Sequence, residues 1–167
     1  LGSVGGDATT IAATNKAYVP LLYGAKGFSF APAPTDATDE YIKLFQSIYA
    51  TAQPTQTFDN NVVAGMSNAF LAVQALQATG SNLTRAGLIK VIESKGATLA
   101  NPFLTPLGYS ATSHVGATGY WIGTYDPTGA LKPDGGKYTV YTTDSGTGPV
   151  VESTYKRPAM PAKGLPN

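Results

Sequence analysis

Apolar positions recur with two different periods along this chain, and the change of period separates a helical middle from a strand-forming end. The strongest helical signal follows Phe58-Asp59-Asn60. There Val62, Val63, Met66, Phe70, Val73 and Leu76 return every three or four residues and predict one apolar stripe, which Gly80 should terminate. Ala64, Gly65, Ala69 and Ala72 are small enough to admit close neighbours. A second helix is expected from Thr35 and Asp36 onward: Asp39 and Glu40 favour its N-terminus, Tyr41, Ile42, Phe45, Ile48 and Tyr49 repeat at helical spacing, and it should stop before Pro54. A third, capped by Thr84, turns Leu88, Val91 and Ile92 inward and ends near Lys95-Gly96. A weaker helix over residues 7–15 has Asp7 at its N-cap, with Pro20 closing the region.

Elsewhere the period is two. Gly27-Phe28-Ser29-Phe30-Ala31 alternates aromatic and small residues as a strand does, until Pro32 and Pro34 stop further pairing. Residues 119–125 and 137–142 are rich in aromatic and β-branched side chains, and Asp126-Pro127-Thr128-Gly129 is the turn expected between them. Residues 152–167 hold Pro158, Pro161 and Pro166 with few core formers, so an extended tail burying little is expected.

Composition narrows the functional classes. With 43% hydrophobic and 13% charged residues, the 167-residue chain is globular in character and long enough for a substantial core. Eleven basic residues against ten acidic ones, with no run of like charge, give nothing that would recruit nucleic acid or anionic lipid. The absence of cysteine excludes a disulfide scaffold, a thiol nucleophile and thiolate metal sites. No apolar run is long enough to span a bilayer, and Leu1-Gly2-Ser3-Val4-Gly5-Gly6 lacks the basic start and apolar run of a signal peptide. Those first residues read as a strand end followed by a turn, and a chain that opens inside an element is expected to be a fragment or a processed product.

The residues able to carry chemistry are few. Ligands of open α/β sheets bind where strands end, which singles out the turn Ser3, Val4, Gly5, Gly6 and Asp7: its glycines let backbone approach a ligand, or merely turn the chain. The amides that follow could hold a carboxylate; Asp7 could instead receive an ammonium group. Phe58, Asn61 and Gly65, opening the central helix, offer an aromatic wall and a side-chain amide, or plain capping and packing. His114, the one histidine, has no metal cluster or triad around it in the sequence and reads as a loop residue. Asp36, Asp39 and Glu40 are explained by a first helical turn without invoking paired catalytic carboxylates. Asn82-Leu83-Thr84 fits a glycosylation acceptor, yet suffices as a turn and a cap. Ten tyrosines and one tryptophan suggest a stacking surface, but alternation puts Tyr120 and Trp121 on opposite faces.

Taken in order, these pieces resemble the C-terminal half of a two-lobed type I periplasmic-binding fold, as found in extracytoplasmic solute-binding proteins of branched-chain amino-acid ABC transporters. The resemblance rests on Phe58-Asp59-Asn60-Asn61-Val62-Val63-Ala64-Gly65 leading into Ala72-Val73-Gln74-Ala75-Leu76, on Leu83-Thr84-Arg85-Ala86-Gly87-Leu88-Ile89, on Ser3-Val4-Gly5-Gly6-Asp7 and on the Thr112-Ser113-His114 neighbourhood. It covers roughly residues 1–142. It implies an α/β fold of parallel sheets flanked by helices, incomplete without an N-terminal half. Residues 1–27 would belong to the second lobe, 28–34 to a hinge crossover strand, 35–119 to the helices of the first lobe, 120–151 to late strands and a return crossing, and 152–167 to the tail. The apolar faces near Phe45, Phe70 and Ile92 would then need a β-layer from outside the chain. The implied function is non-enzymatic capture of an amino-acid-like or aromatic carboxylate ligand in an inter-lobe cleft outside the cytoplasm, with a membrane permease as partner and no cofactor. A sensory domain of the same fold is the alternative, whereas a small α/β enzyme has no nucleophile motif or phosphate loop in its support.

Overall fold

Every α-helix in the computed structural model begins where a side-chain oxygen meets free backbone amides; residues 7–81, 83–143 and 148–161 are described. Asp7 opens α1 (Ala8–Asn15) by accepting from the amide of Thr10, and Asp59 opens α3 (Asn60–Thr79) by accepting from Val62. Thr84 does the same for α4 (Arg85–Lys95) through Gly87. Such caps each contribute about 1 kcal/mol. Gly80, at a φ of 61°, ends α3 in a conformation costly for any residue with a Cβ.

Two boundaries differ from the sequence expectation. Helix α2 (Glu40–Ala52) starts after Asp39, not at Thr35 and Asp36, because Asp36 closes a turn of its own: Oδ1 accepts from the Thr38 amide at 2.9 Å and its hydroxyl at 2.6 Å. Nor does Pro20 close the first region. A 3-10 helix, Lys16–Leu22, runs through it, with the Asn15 side chain accepting from the amide of Ala17 at its start.

The fold is mixed α/β, and all its described strand pairings are antiparallel. Strands β1 (Lys26–Ser29), β2 (Gly119–Tyr125), β4 (Val140–Thr142) and β5 (Val151–Glu152) lie in that order, and β3 (Leu131–Pro133) also pairs with β2. The parallel sheets implied by the resemblance are therefore not formed among the described residues. The local reason is the turn after β2. Asp126 Oδ1 accepts from the amides of Thr128 and Ala130 and from the Thr128 hydroxyl, which folds β3 straight back along β2. That turn leads to β3 and not to residues 137–142, since a 3-10 turn at Asp134–Gly136, with Gly135 and Gly136 at positive φ, separates β3 from the shorter β4. Gly129, at a φ of 81°, brings the same hairpin against the N-terminal segment: an added Cβ would come within 2.6 Å of Val19 Cγ1 and 2.8 Å of Ala8 Cβ.

Alternation along β2 buries Trp121, Gly123 and Tyr125 on the face turned to the helices and leaves Ile122, opposite Phe28 of β1, exposed on the other. The helical core forms two joined clusters. Ala31, Ile42, Val63, Phe103 and Leu107 make one; Tyr41, Phe45 and Phe70, their rings edge to face, make the other, and Phe58 packs against both. Burial on α3 selects Val63, Ser67, Phe70, Ala75 and Thr79, so Val73 and Leu76, expected on the stripe, stay exposed. Phe45 and Phe70 are covered by α2 packing on α3, by Ala100 and by Met160, and not by the expected β-layer. From 153 to 161 the tail holds no helix, strand or fully buried residue, yet it is anchored. Residues 153–161 lie against the helices, with Arg157 only 17% exposed in an ion pair with Asp39 at 2.6 Å.

Candidate functional site

Between the inner side of the β1 end and the first turn of α3 lies a cavity of about 210 Å³. Its wall is aromatic: Phe30, the residue after β1, contributes with Trp121 and Tyr125 from β2, while Phe28 borders it with its ring turned to Tyr120 on the outer face. Its polar rim comes from elements far apart in sequence, Asp7 at the start of α1 and Asn60 with Asn61 at the start of α3. An apolar cleft with a few convergent polar groups is the common form of a small-molecule site.

Asp7 is held in place on both oxygens. Oδ1 accepts from the amide and hydroxyl of Thr10, at 3.0 and 3.2 Å, and Oδ2 from the side-chain amide of Asn60 at 2.5 Å. A carboxylate has about four acceptor positions, so this arrangement leaves room for one more donor. Asn61, one residue on, makes no side-chain hydrogen bond among the described residues. The Tyr125 hydroxyl is pushed up from its ordinary value, first by burial and then by the Asp7 carboxylate, and is neutral at physiological pH.

A second set of bonds fixes the Pro-rich connector at the cavity's other side. Trp121, 1% exposed, donates from Nε1 to the Ala31 carbonyl at 2.8 Å, and its ring meets that of Tyr138 edge to face at 4.9 Å. The Tyr138 hydroxyl donates to Asp36 Oδ2 and accepts from the amide of Ala33, both at 3.0 Å. Burial acts to raise the Asp36 carboxyl, but hydrogen bonds from Thr38, Tyr138 and the Asp39 amide outweigh it and hold the group below the ordinary 3.8. Burial raises Tyr138 well above 10.0, opposed by the Ala33 amide and assisted by Asp36. A depressed carboxyl stabilises the fold above the unfolded value and loses that contribution as pH falls through the folded one. The chain should therefore lose stability as pH drops below 3.8, and Tyr138→Phe, lacking one of the bonds that depress Asp36, should show a shallower acid-side loss. Thermal unfolding followed between about pH 2 and pH 6 tests this; identical acid slopes in the two proteins would disprove the clamp.

The structure brings together only part of the set that the sequence singled out. Asp7 and Asn61 meet at the cavity. Phe58 does not line it: its ring sits 5.8 Å from that of Tyr49, inside the helical core. Gly65 is exposed on α3, with nothing within 4 Å of where its Cβ would be, and is likewise away from the cavity. Ser3, Val4, Gly5 and Gly6 lie outside the described residues, as does Asn82 of the glycosylation pattern. His114 is exposed in a loop, 3.3 Å from Glu93. Phe30 and Asn60 were not singled out in the sequence, and Trp121 and Tyr125 belong to the stacking surface set aside because Tyr120 falls on the opposite face. The alternation in residues 119–125 was the available signal for the last two, since it puts Trp121 and Tyr125 on one face.

Among the described residues no group of three or more His, Cys, Asp or Glu side chains could hold a metal ion, and no helix is long and apolar enough to cross a membrane. Set against known proteins, the chain matches no family model, no curated protein and no solved structure.

Proposed function

We propose that this cavity is a small-molecule site and that the chain serves as a ligand-binding part of an extracytoplasmic solute-binding protein feeding an ABC transporter. The observation that carries the reading is the meeting of Asp7 and Asn61, from distant points of the sequence, on the rim of one aromatic-walled cavity. The ligand class follows from those groups. An ammonium would donate to the open acceptor position of Asp7, a carboxylate would accept from the Asn61 side chain and the positive end of α3, and an apolar body would lie against Phe30, behind which Trp121 is buried. Amino acids with branched or aromatic side chains, and aromatic carboxylates, have that shape. The reading assigns the permease of the transporter as the protein partner. Closure of the site on its ligand would be the signal, which requires the ligand to bind the closed form better than the open one.

Calorimetric titration of the chain with branched aliphatic amino acids, aromatic amino acids and aromatic carboxylates tests the proposal. Saturable binding is expected with a Kd on the order of 0.1–1 mM, or about 4–5.5 kcal/mol, accompanied by a change in Trp121 fluorescence. Asp7→Asn should weaken amino acids about tenfold while leaving carboxylates without an ammonium group nearly unaffected. No saturable binding across the panel, or binding indifferent to both Asp7→Asn and Asn61→Ala, would remove the cavity from consideration.

A further inference from the structure

The tail reaches the N-terminus of α2 through side chains. Its amide at Ser153 donates to the Val140 carbonyl at 2.8 Å, and the next amide bond within it, from Tyr155, goes to the hydroxyl of its own Ser153. From there, among the described residues, three side chains anchor it. The Tyr155 hydroxyl accepts from Asn101 Nδ2 at 3.1 Å. Arg157 donates to Asp39 Oδ2 at 2.6 Å and to the Pro102 carbonyl at 2.9 Å, with its guanidinium carbon 4.8 Å from the centre of the Tyr41 ring. Met160 packs on the Tyr41, Phe45 and Phe70 cluster.

The receiving surface is fixed by bonds that do not involve the tail. Asp39 spends Oδ1 on the amides of Tyr41 and Ile42, which aims Oδ2 outward from the helix start. Asn101 is fully buried, its Oδ1 accepting from the Phe103 amide and its Nδ2 also donating to the Leu99 carbonyl. Tyr41 meets the rings of Phe45 and Phe70 edge to face and is fully buried once the tail covers it. A carboxylate, a carbonyl and a ring face arranged around one guanidinium form a receptor for arginine that a lysine, with its compact charge, fits less well. The segment that fills it carries prolines at positions 158 and 161, which restrict it to extended conformations and lower the entropy lost on docking.

We propose that this groove is a peptide-binding site for a Tyr-Lys-Arg-Pro segment and that its own tail is an exchangeable occupant, replaceable by the same tail of a second copy. The short tether keeps the tail in its own groove at low protein concentration, because tethering supplies an effective concentration on the order of millimolar. At comparable protein concentrations tails exchange between copies and pair them reciprocally.

A fluorescently labelled peptide, Ser-Thr-Tyr-Lys-Arg-Pro-Ala-Met-Pro, corresponding to residues 153–161, tests the site against the full chain. The Arg157→Ala chain, whose own tail is weakened, should bind it at least about tenfold more tightly than the unaltered chain does, and a peptide with alanine for its arginine should bind at least about tenfold more weakly. Circular dichroism checks that the variant is folded. In the unaltered chain, which needs no substitution, excess peptide should speed hydrogen exchange at the Ser153 and Tyr155 amides by displacing the resident tail. Sedimentation at about 1 mM chain should show a dimer that the free peptide dissolves. Indifference of binding to the peptide's arginine, unchanged exchange under saturating peptide, or a chain that stays monomeric throughout would each overturn the proposal.

Discussion

Asp39→Ala should lower the unfolding free energy by about 3–5 kcal/mol, one of the two largest single-residue losses expected for this chain. The carboxylate does two jobs at once: Oδ1 caps α2 through the amides of Tyr41 and Ile42, and Oδ2 receives Arg157. Loss of the cap alone costs about 1 kcal/mol. The larger share comes from the guanidinium, which is 17% exposed and would keep only the Pro102 carbonyl and the Tyr41 ring as partners. Removing one member of a buried pair is far more damaging than removing both, because it strands the other. Asp39→Asn separates the two jobs, since an amide oxygen still caps the helix, and should recover about 1 kcal/mol. Urea denaturation of the three proteins measures both differences. A loss under about 1 kcal/mol for the alanine variant would mean that the tail contact contributes nothing net.

Trp121→Ala should cost about 3–5 kcal/mol through the cavity it leaves and should also abolish binding at the proposed ligand site. Its ring is buried between the connector and Tyr138, and its Nε1 proton serves the Ala31 carbonyl. Trp121→Phe keeps most of the ring and deletes the donor. Because Ala31 O also receives the Ser29 hydroxyl, that carbonyl is not abandoned, and the expected loss falls to about 1–3 kcal/mol. Stability read by denaturant and ligand affinity read by calorimetry should therefore fall in step across the series. An alanine variant as stable as the parent would show that the connector holds itself in place.

Helices were legible in the sequence wherever a capping side chain coincided with an apolar period. Asp59, Thr84 and Asp7 stand at helix starts as expected, and Gly80 ends α3. Asp36 misled because two aspartates three residues apart both suit a helix start. Only the competing turn closed by Thr38 decides between them, and it depends on a side-chain hydrogen bond with no periodic trace. Strand β2 was read to the residue from its aromatic and β-branched composition; its pairing with β1 spans some ninety positions and leaves no local mark. The cavity was half visible for the same reason. Asp7 and Asn61 sit at helix starts, where local rules apply, while Trp121 and Phe30 join them through tertiary contact alone. What the prolines and basic residues of the tail do not reveal is its anchor, since the contact of Arg157 with Asp39 leaves no local mark in the sequence.

The close approach of Gly129 to Val19 and Ala8 has a practical corollary for anyone modifying this protein. Hairpin tips are usual places for grafting an epitope or a fluorophore tag, since they project into solvent. This one is wedged beneath the first helix, and an insertion there would pry the amino-terminal segment off the sheet, taking Asp7 away from Asn60. The stretch over residues 53–57, exposed at every position between the second and third helices, is the better place for such a graft.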